Sequence, residues 1–173
     1  MTSPFIRKRI QKVSAVQRSE YVTRHEPSTH PGKAIGLLPD ILKKIKSSYK
    51  RCKDSGFTLK GSTIHLSGTS GTGNTFAVES IAHTLNVPIY RIDLGTLVSK
   101  YIGETEKNLN ALFNTAEREH AVLLFDEADS LFGNRSASSD AHDRYTNSQT
   151  NWILKRIEQC TTLVVLAGQS DKD

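Results

Sequence analysis

Residues 121–125, AVLLF, form an unbroken apolar run, and two carboxylates, Asp126 and Glu127, follow it at once. A run of that kind suits a strand covered on both faces, the situation of strands in a parallel sheet flanked by helices. The rest of the chain repeats the theme. STIHLS (62–67), PIYRID (88–93) and TTLVVLAG (161–168) read as further strands, the first of them buried and running into a glycine-rich loop. Between them, TFAVESIAHTLN (75–86), ETEKNLNALFNTAEREH (104–120) and HDRYTNSQTNWILKRIEQC (142–160) read as helices. In the second of these, Leu109, Leu112, Phe113 and Ala116 fall on one inner face at helical spacing. An earlier helix starts near Pro39 and Asp40, with Ile41, Leu42, Ile45, Tyr49 and Cys52 on one side and Gly56 as its stop. Alternating strands and helices predict a doubly wound, parallel α/β sheet in three layers.

Composition narrows the class. A chain of 173 residues, 36% hydrophobic and 24% charged, suits one globular unit. No apolar run approaches the roughly 18 residues that span a bilayer, so no membrane partner is expected. The basic start, MTSPFIRKRI, lacks the apolar stretch of a secretory signal. Cys52 and Cys160 have no metal-like spacing and are expected as free thiols in a reducing, cytoplasmic setting. Charge is uneven: residues 1–60 carry 14 Lys/Arg against 4 Asp/Glu, and residues 61–173 carry 9 against 14. Residues 1–36 therefore read as a basic extension or linker, and 37–173 as the folded core. The extension is either a solvated leader or an electrostatic handle for nucleic acid or an acidic partner.

The segment GTSGTGNT, comprising Gly68, Thr69, Ser70, Gly71, Thr72, Gly73, Asn74 and Thr75, sits between a strand and a helix. In that position backbone N–H groups converge on one point, the glycines allow close approach, and the helix dipole favours an anion. Thr75 offers a hydroxyl for Mg²⁺. Some fifty residues later, Asp126 at the mouth of its strand is placed to hold Mg²⁺ through water, and Glu127 to polarise a water for attack on a γ-phosphate. The pair points to a nucleoside triphosphate with Mg²⁺.

With these motifs in place the chain resembles the AAA+ ATPases, and within them the AAA proteins that form hexameric remodelling motors. The resemblance covers about residues 39–169. It is most specific in IDLGTLVSKYIGETEKNLNALFNTAE and VLLFDEADSLFG, and is closest to bacterial members that carry DAHDRY, here at 140–145. It implies that 68–75 are a Walker A loop and Asp126 with Glu127 a Walker B motif. It also implies that Tyr101, Ile102 and Gly103 are a pore loop gripping a threaded polypeptide, with 133–139 a second central loop. Asp140, His142 and Asp143 are read as helix-start and subunit-contact residues rather than metal ligands.

The chain departs from that pattern in three places. Asn74 stands where the Walker A lysine would be, and loss of a charge-assisted bond worth about 1.5–3 kcal/mol weakens binding about 10- to 150-fold. Gln169 stands where the family places an asparagine that helps position the attacking water. The resemblance also implies a fifth strand, arginine fingers and a helical lid beyond Asp173, so the chain is expected to be a partial core, truncated after its fourth strand. On that footing STIHLS becomes an unpaired sheet edge. The expectation is an ATP-binding AAA+ protein, ancestrally a remodelling ATPase and impaired in hydrolysis, working in a homo- or hetero-oligomer. Two alternatives stand beside it: an inactive pseudo-ATPase adaptor, and a nucleic-acid-associated ATPase of the helicase-loader kind.

Overall fold

A computed structural model of the protein describes residues 21–27, 38–55, 62–67, 73–100, 105–132 and 141–168. The central strand is β4 (Val122–Asp126), buried along its first four residues. It pairs in parallel with β3 (Ile89–Asp93) on one side and β5 (Val164–Gly168) on the other. Strand β2 (Thr63–Ser67) adds in parallel to β5, and β1 (Val22–His25) adds antiparallel to β3, giving the order β1-β3-β4-β5-β2. The helices are α1 (Leu38–Ser55), α2 (Asn74–Leu85), α3 (Leu94–Lys100), α4 (Thr105–Glu119), α5 (Asp129–Phe132) and α6 (Ala141–Gln159).

Two apolar clusters lie on opposite faces of the sheet, as two-residue alternation along a strand requires. On one face, Tyr90, Ile92, Leu123, Phe125 and Leu166 pack with Leu94 and Leu97 of α3, Leu109, Leu112, Phe113 and Ala116 of α4, and Ile153 and Ile157 of α6. On the other, Ile89, Val122, Leu124, Val165 and Ala167 pack with Val78, Ile81 and Ala82 of α2, with Leu42, Ile45 and Tyr49 of α1 beside them. The three-layer α/β architecture read from the sequence is present, and the α4 face is the predicted one. Among the described residues no helix is long and apolar enough to cross a membrane.

Three expectations need correction. The sheet is mixed rather than wholly parallel, because residues 22–25, within the stretch read as a linker, form an edge strand. Tyr21 and Val22 are buried, and the Tyr21 carbonyl accepts the Asp93 N–H at 2.9 Å. Arg24 ties this strand down by donating to Glu119 at 3.3 and 3.4 Å, while the Tyr90 hydroxyl donates to the same carboxylate at 3.1 Å. A four-residue strand of mixed polarity carries little periodic signal, and its partner makes it a strand. Strand β2 is half-exposed rather than buried, because β5 is its one neighbour among the described residues. Ile41 is 43% exposed, so α1 turns its apolar stripe through Leu42, Ile45 and Tyr49 instead. Helices α3 and α5 have no counterpart in the reading, being too short for periodicity to show.

Arg156 of α6 holds α4 to the start of β5. Its guanidinium donates to both Glu117 oxygens at 3.1 and 3.2 Å and lies 4.6 Å from the centre of the Phe113 ring. Glu117 also accepts the Thr161 N–H at 3.1 Å. Burial pushes the Glu117 carboxyl up, but the bonds from Arg156 and Thr161 outweigh it and hold the group below its ordinary range. A depressed carboxyl stabilises the fold above its unfolded pKa, and that contribution is lost as the pH falls through the folded value. Glu117→Gln is expected to lower unfolding free energy by about 1.5–3 kcal/mol at neutral pH, with the difference closing below about pH 4 in urea titrations. Cys160 is buried, and burial pushes its thiol up to about 11. In a Cys52→Ser background, a thiol reagent at pH 8 should therefore modify Cys160 only as fast as the protein opens.

Candidate functional site

Parallel pairing brings the C-terminal ends of β2, β3, β4 and β5 to one edge of the sheet, where open α/β folds bind their ligands. Ser67, Asp93, Asp126 and Gly168 close the four strands there. Helix α2 opens from Gly73, whose φ of 98° lies in the left-handed region that glycine enters at little cost. Among the described residues no side chain caps this helix, and its first turn contains no acidic residue. Asn74 is half-buried and Thr75 exposed.

Asp126 lies on the face of β4 that carries Val122 and Leu124, the face covered by α2. Its Oδ1 accepts the Glu127 N–H at 3.1 Å, and its Oδ2 accepts Arg91 Nε at 3.0 Å and Arg91 Nη2 as well. Glu127 has a φ of 57°, so the chain turns sharply out of the strand at this residue. A Cβ on Gly95 would collide with Glu127 Oε2, which places that carboxylate directly over the glycine backbone at the start of α3. Asp93 caps α3: its Oδ1 accepts the Thr96 N–H at 2.9 Å and its Oδ2 accepts the Thr96 hydroxyl at 2.9 Å. The Ala128 N–H donates to the Ala167 carbonyl at 2.8 Å, and a Cβ on Gly168 would strike the Asp129 carboxylate.

The structure thus brings Asp126 to the edge and face from which α2 starts with Asn74 and Thr75, and leaves the Glu127 carboxylate at the same edge over Gly95. Gly68, Thr69, Ser70, Gly71, Thr72, Gln169 and the segment Tyr101, Ile102, Gly103 lie outside the described residues, as do residues 1–20 of the basic extension and the loop 133–139. Sequence reading missed Arg91, Asp93, Gly95 and Asp129. The signal for Arg91 and Asp93 was present, because PIYRID turns polar on one face just as the strand ends. Among the described residues no group of three or more His, Cys, Asp or Glu converges on one point. A cation held by Asp126 would draw its other ligands from phosphate oxygens and water, the habit of Mg²⁺. A groove of about 420 Å³ between α1 and the start of β2, lined by Lys44, Tyr49, Thr63 and Leu163, lies at the opposite edge of the sheet.

The model of the AAA family (ATPase family associated with various cellular activities) matches residues 64–172, and the chain belongs to that family. The chain is 37% identical over 83 residues to an uncharacterized AAA family ATPase, y4kL, of Sinorhizobium fredii, covering 47% of this chain and 25% of that protein. It is 34% identical over 120 residues to the ATPase family AAA domain-containing protein FIGL1 of Arabidopsis thaliana, covering 69% of this chain and 16% of that one. The crystal structure of a FIGL-1 AAA domain superposes with a TM-score of 0.65 at 22% identity, covering 98% of this chain and 57% of that one. The same domain in complex with ADP superposes at 0.64 and 23%, covering 93% and 55%. These structures share the fold. The matched segments span between 14% and 26% of the first three curated relatives.

The cap on α3 yields a test of the local geometry. Asp93→Ala removes both bonds to Thr96 and should destabilise the protein by about 1 kcal/mol in urea unfolding, while Asp93→Asn, a competent cap, should stay close to wild type.

Proposed function

We propose that this chain is the nucleotide-binding core of an ATP-dependent protein-remodelling AAA ATPase whose hydrolysis is weakened by Asn74. The observation that carries the reading is the placement of Asp126 at the end of β4, on the face that carries α2, with Glu127 next to it at the same sheet edge. A FIGL-1 AAA domain of the same fold binds ADP, which supports a nucleotide as the ligand. In this reading the backbone of Gly68, Thr69, Ser70, Gly71, Thr72 and Gly73 cradles phosphate oxygens, and Asn74 donates a neutral hydrogen bond where a lysine would bring charge. Thr75 and Asp126 would hold Mg²⁺, which would supply charge neutralisation between phosphate oxygens. Glu127 takes the proton of the attacking water, and Gln169, next in sequence after β5, orients that water. Tyr101, Ile102 and Gly103 grip polypeptide in an oligomer. The second reading, a pseudo-ATPase adaptor, is favoured by Asn74 itself and differs in lacking turnover.

Binding of a fluorescent ATP analogue with Mg²⁺ tests the reading. Asn74→Lys should tighten binding about 10- to 150-fold, and Asp126→Asn should weaken it in either background. Absence of binding by both wild type and Asn74→Lys would overturn a nucleotide site, and binding without turnover by Asn74→Lys would favour the adaptor. Gly95→Ala addresses Glu127 separately. Alanine suits a helix better than glycine by about 0.5–1 kcal/mol, so stability should hold or rise. The displaced Glu127 carboxylate should nevertheless lower turnover of Asn74→Lys by about 100-fold with nucleotide affinity unchanged.

A further inference from the structure

Arg91 carries a positive charge into the acidic edge of the sheet, and neither the family motifs nor the reading above gives it a role. It pairs in register with Leu124 of β4, so Asp126, two residues further along the same face, is its diagonal neighbour. From there its Nε reaches Asp126 Oδ2 at 3.0 Å, with Nη2 on the same oxygen. The other oxygen, Oδ1, is taken by the Glu127 N–H at 3.1 Å. Both oxygens of the carboxylate that would face Mg²⁺ therefore already accept hydrogen bonds. Asp93, Glu127 and Asp129 stand at the same edge, and Arg91 is paired with Asp126 alone of these four.

We infer that Arg91 is a positioning residue for Asp126 that competes with a divalent cation for the carboxylate, so that metal loading displaces the guanidinium from Oδ2. This rests on the reading of Asp126 as the metal-side carboxylate. The geometry fits a displaceable partner rather than a permanent lock. The Arg91 side chain is 43% exposed and that of Asp126 29%, so water solvates the guanidinium once it swings away. An ion pair this exposed contributes little net stability, enough to shift a competing equilibrium by about two- to fivefold. Asn74 brings no charge to the phosphate side, and Arg91 supplies the neutralising charge for Asp126 until a metal–nucleotide complex replaces it.

The test is the affinity of fluorescent ADP for the full chain, measured once with Mg²⁺ and once with EDTA, in wild type, Arg91→Met, Arg91→Gln, Arg91→Lys and Asp126→Asn. Circular dichroism selects the folded variants, and either neutral substitution suffices. Arg91→Met or Arg91→Gln should tighten ADP about two- to fivefold in Mg²⁺ and leave the EDTA value unchanged. Arg91→Lys should stay near wild type, and the gain should fade toward high salt as the ion pair is screened. Unchanged or weaker binding in Mg²⁺, with Asp126→Asn still losing its Mg²⁺ dependence, overturns the role of Arg91 and leaves Asp126 in place. A loss confined to EDTA overturns it in favour of a direct phosphate contact by Arg91. Equal Mg²⁺ dependence in Asp126→Asn and wild type, or no ADP binding in any variant, overturns the metal-side reading of Asp126 and this inference with it.

Discussion

The burial of β4 on both faces organises the structure. Val122, Leu123, Leu124 and Phe125 alternate between two apolar clusters, so helices must cover both sides and strands must flank both edges. Parallel neighbours follow, because helix-length connections return the chain to the same end of the sheet. Asp126 is polar because apolar cover ends there. The candidate site is thus the place where the most buried strand emerges, with β3 and β5 ending beside it in register.

Backbone geometry then distributes the acidic groups at that edge. The left-handed turn at Glu127 lifts its carboxylate away from Asp126 and lays it over Gly95, where the missing side chain leaves room. Asp93 is engaged in capping α3, and Asp129 lies over Gly168. Four carboxylates near one edge therefore have different surroundings, and Asp126 meets Arg91 from the neighbouring strand.

At the far edge, a strand from the basic extension covers β3. Its hold combines buried Tyr21 and Val22 with the Arg24–Glu119–Tyr90 cluster, so charge and apolar area act on the same four residues. The Tyr21 carbonyl reaches the backbone of Asp93, which links the extension to the start of α3. Composition alone casts the extension as a solvated leader, and residues 22–25 follow the demand of an open sheet edge for a partner instead.

Periodicity and motif spacing by themselves determined the α/β class, the strand that ends at Ser67 and the helix that starts at Asn74, the exit of Asp126 and Glu127, and the inner face of α4. Each depends on residues close in the chain, where alternation or helical spacing reports directly which side is apolar. Tertiary structure alone decided that Val22–His25 is a strand, that β2 is half-exposed, that Ile41 faces out, and that Arg91 reaches Asp126. All four depend on which strands become neighbours. A residue such as Arg91 reads as an ordinary polar position in PIYRID, 35 residues before the carboxylate it meets. Only the pairing of β3 with β4 turns that separation into a hydrogen bond, because register between strands is set by the whole sheet and not by either strand's own sequence.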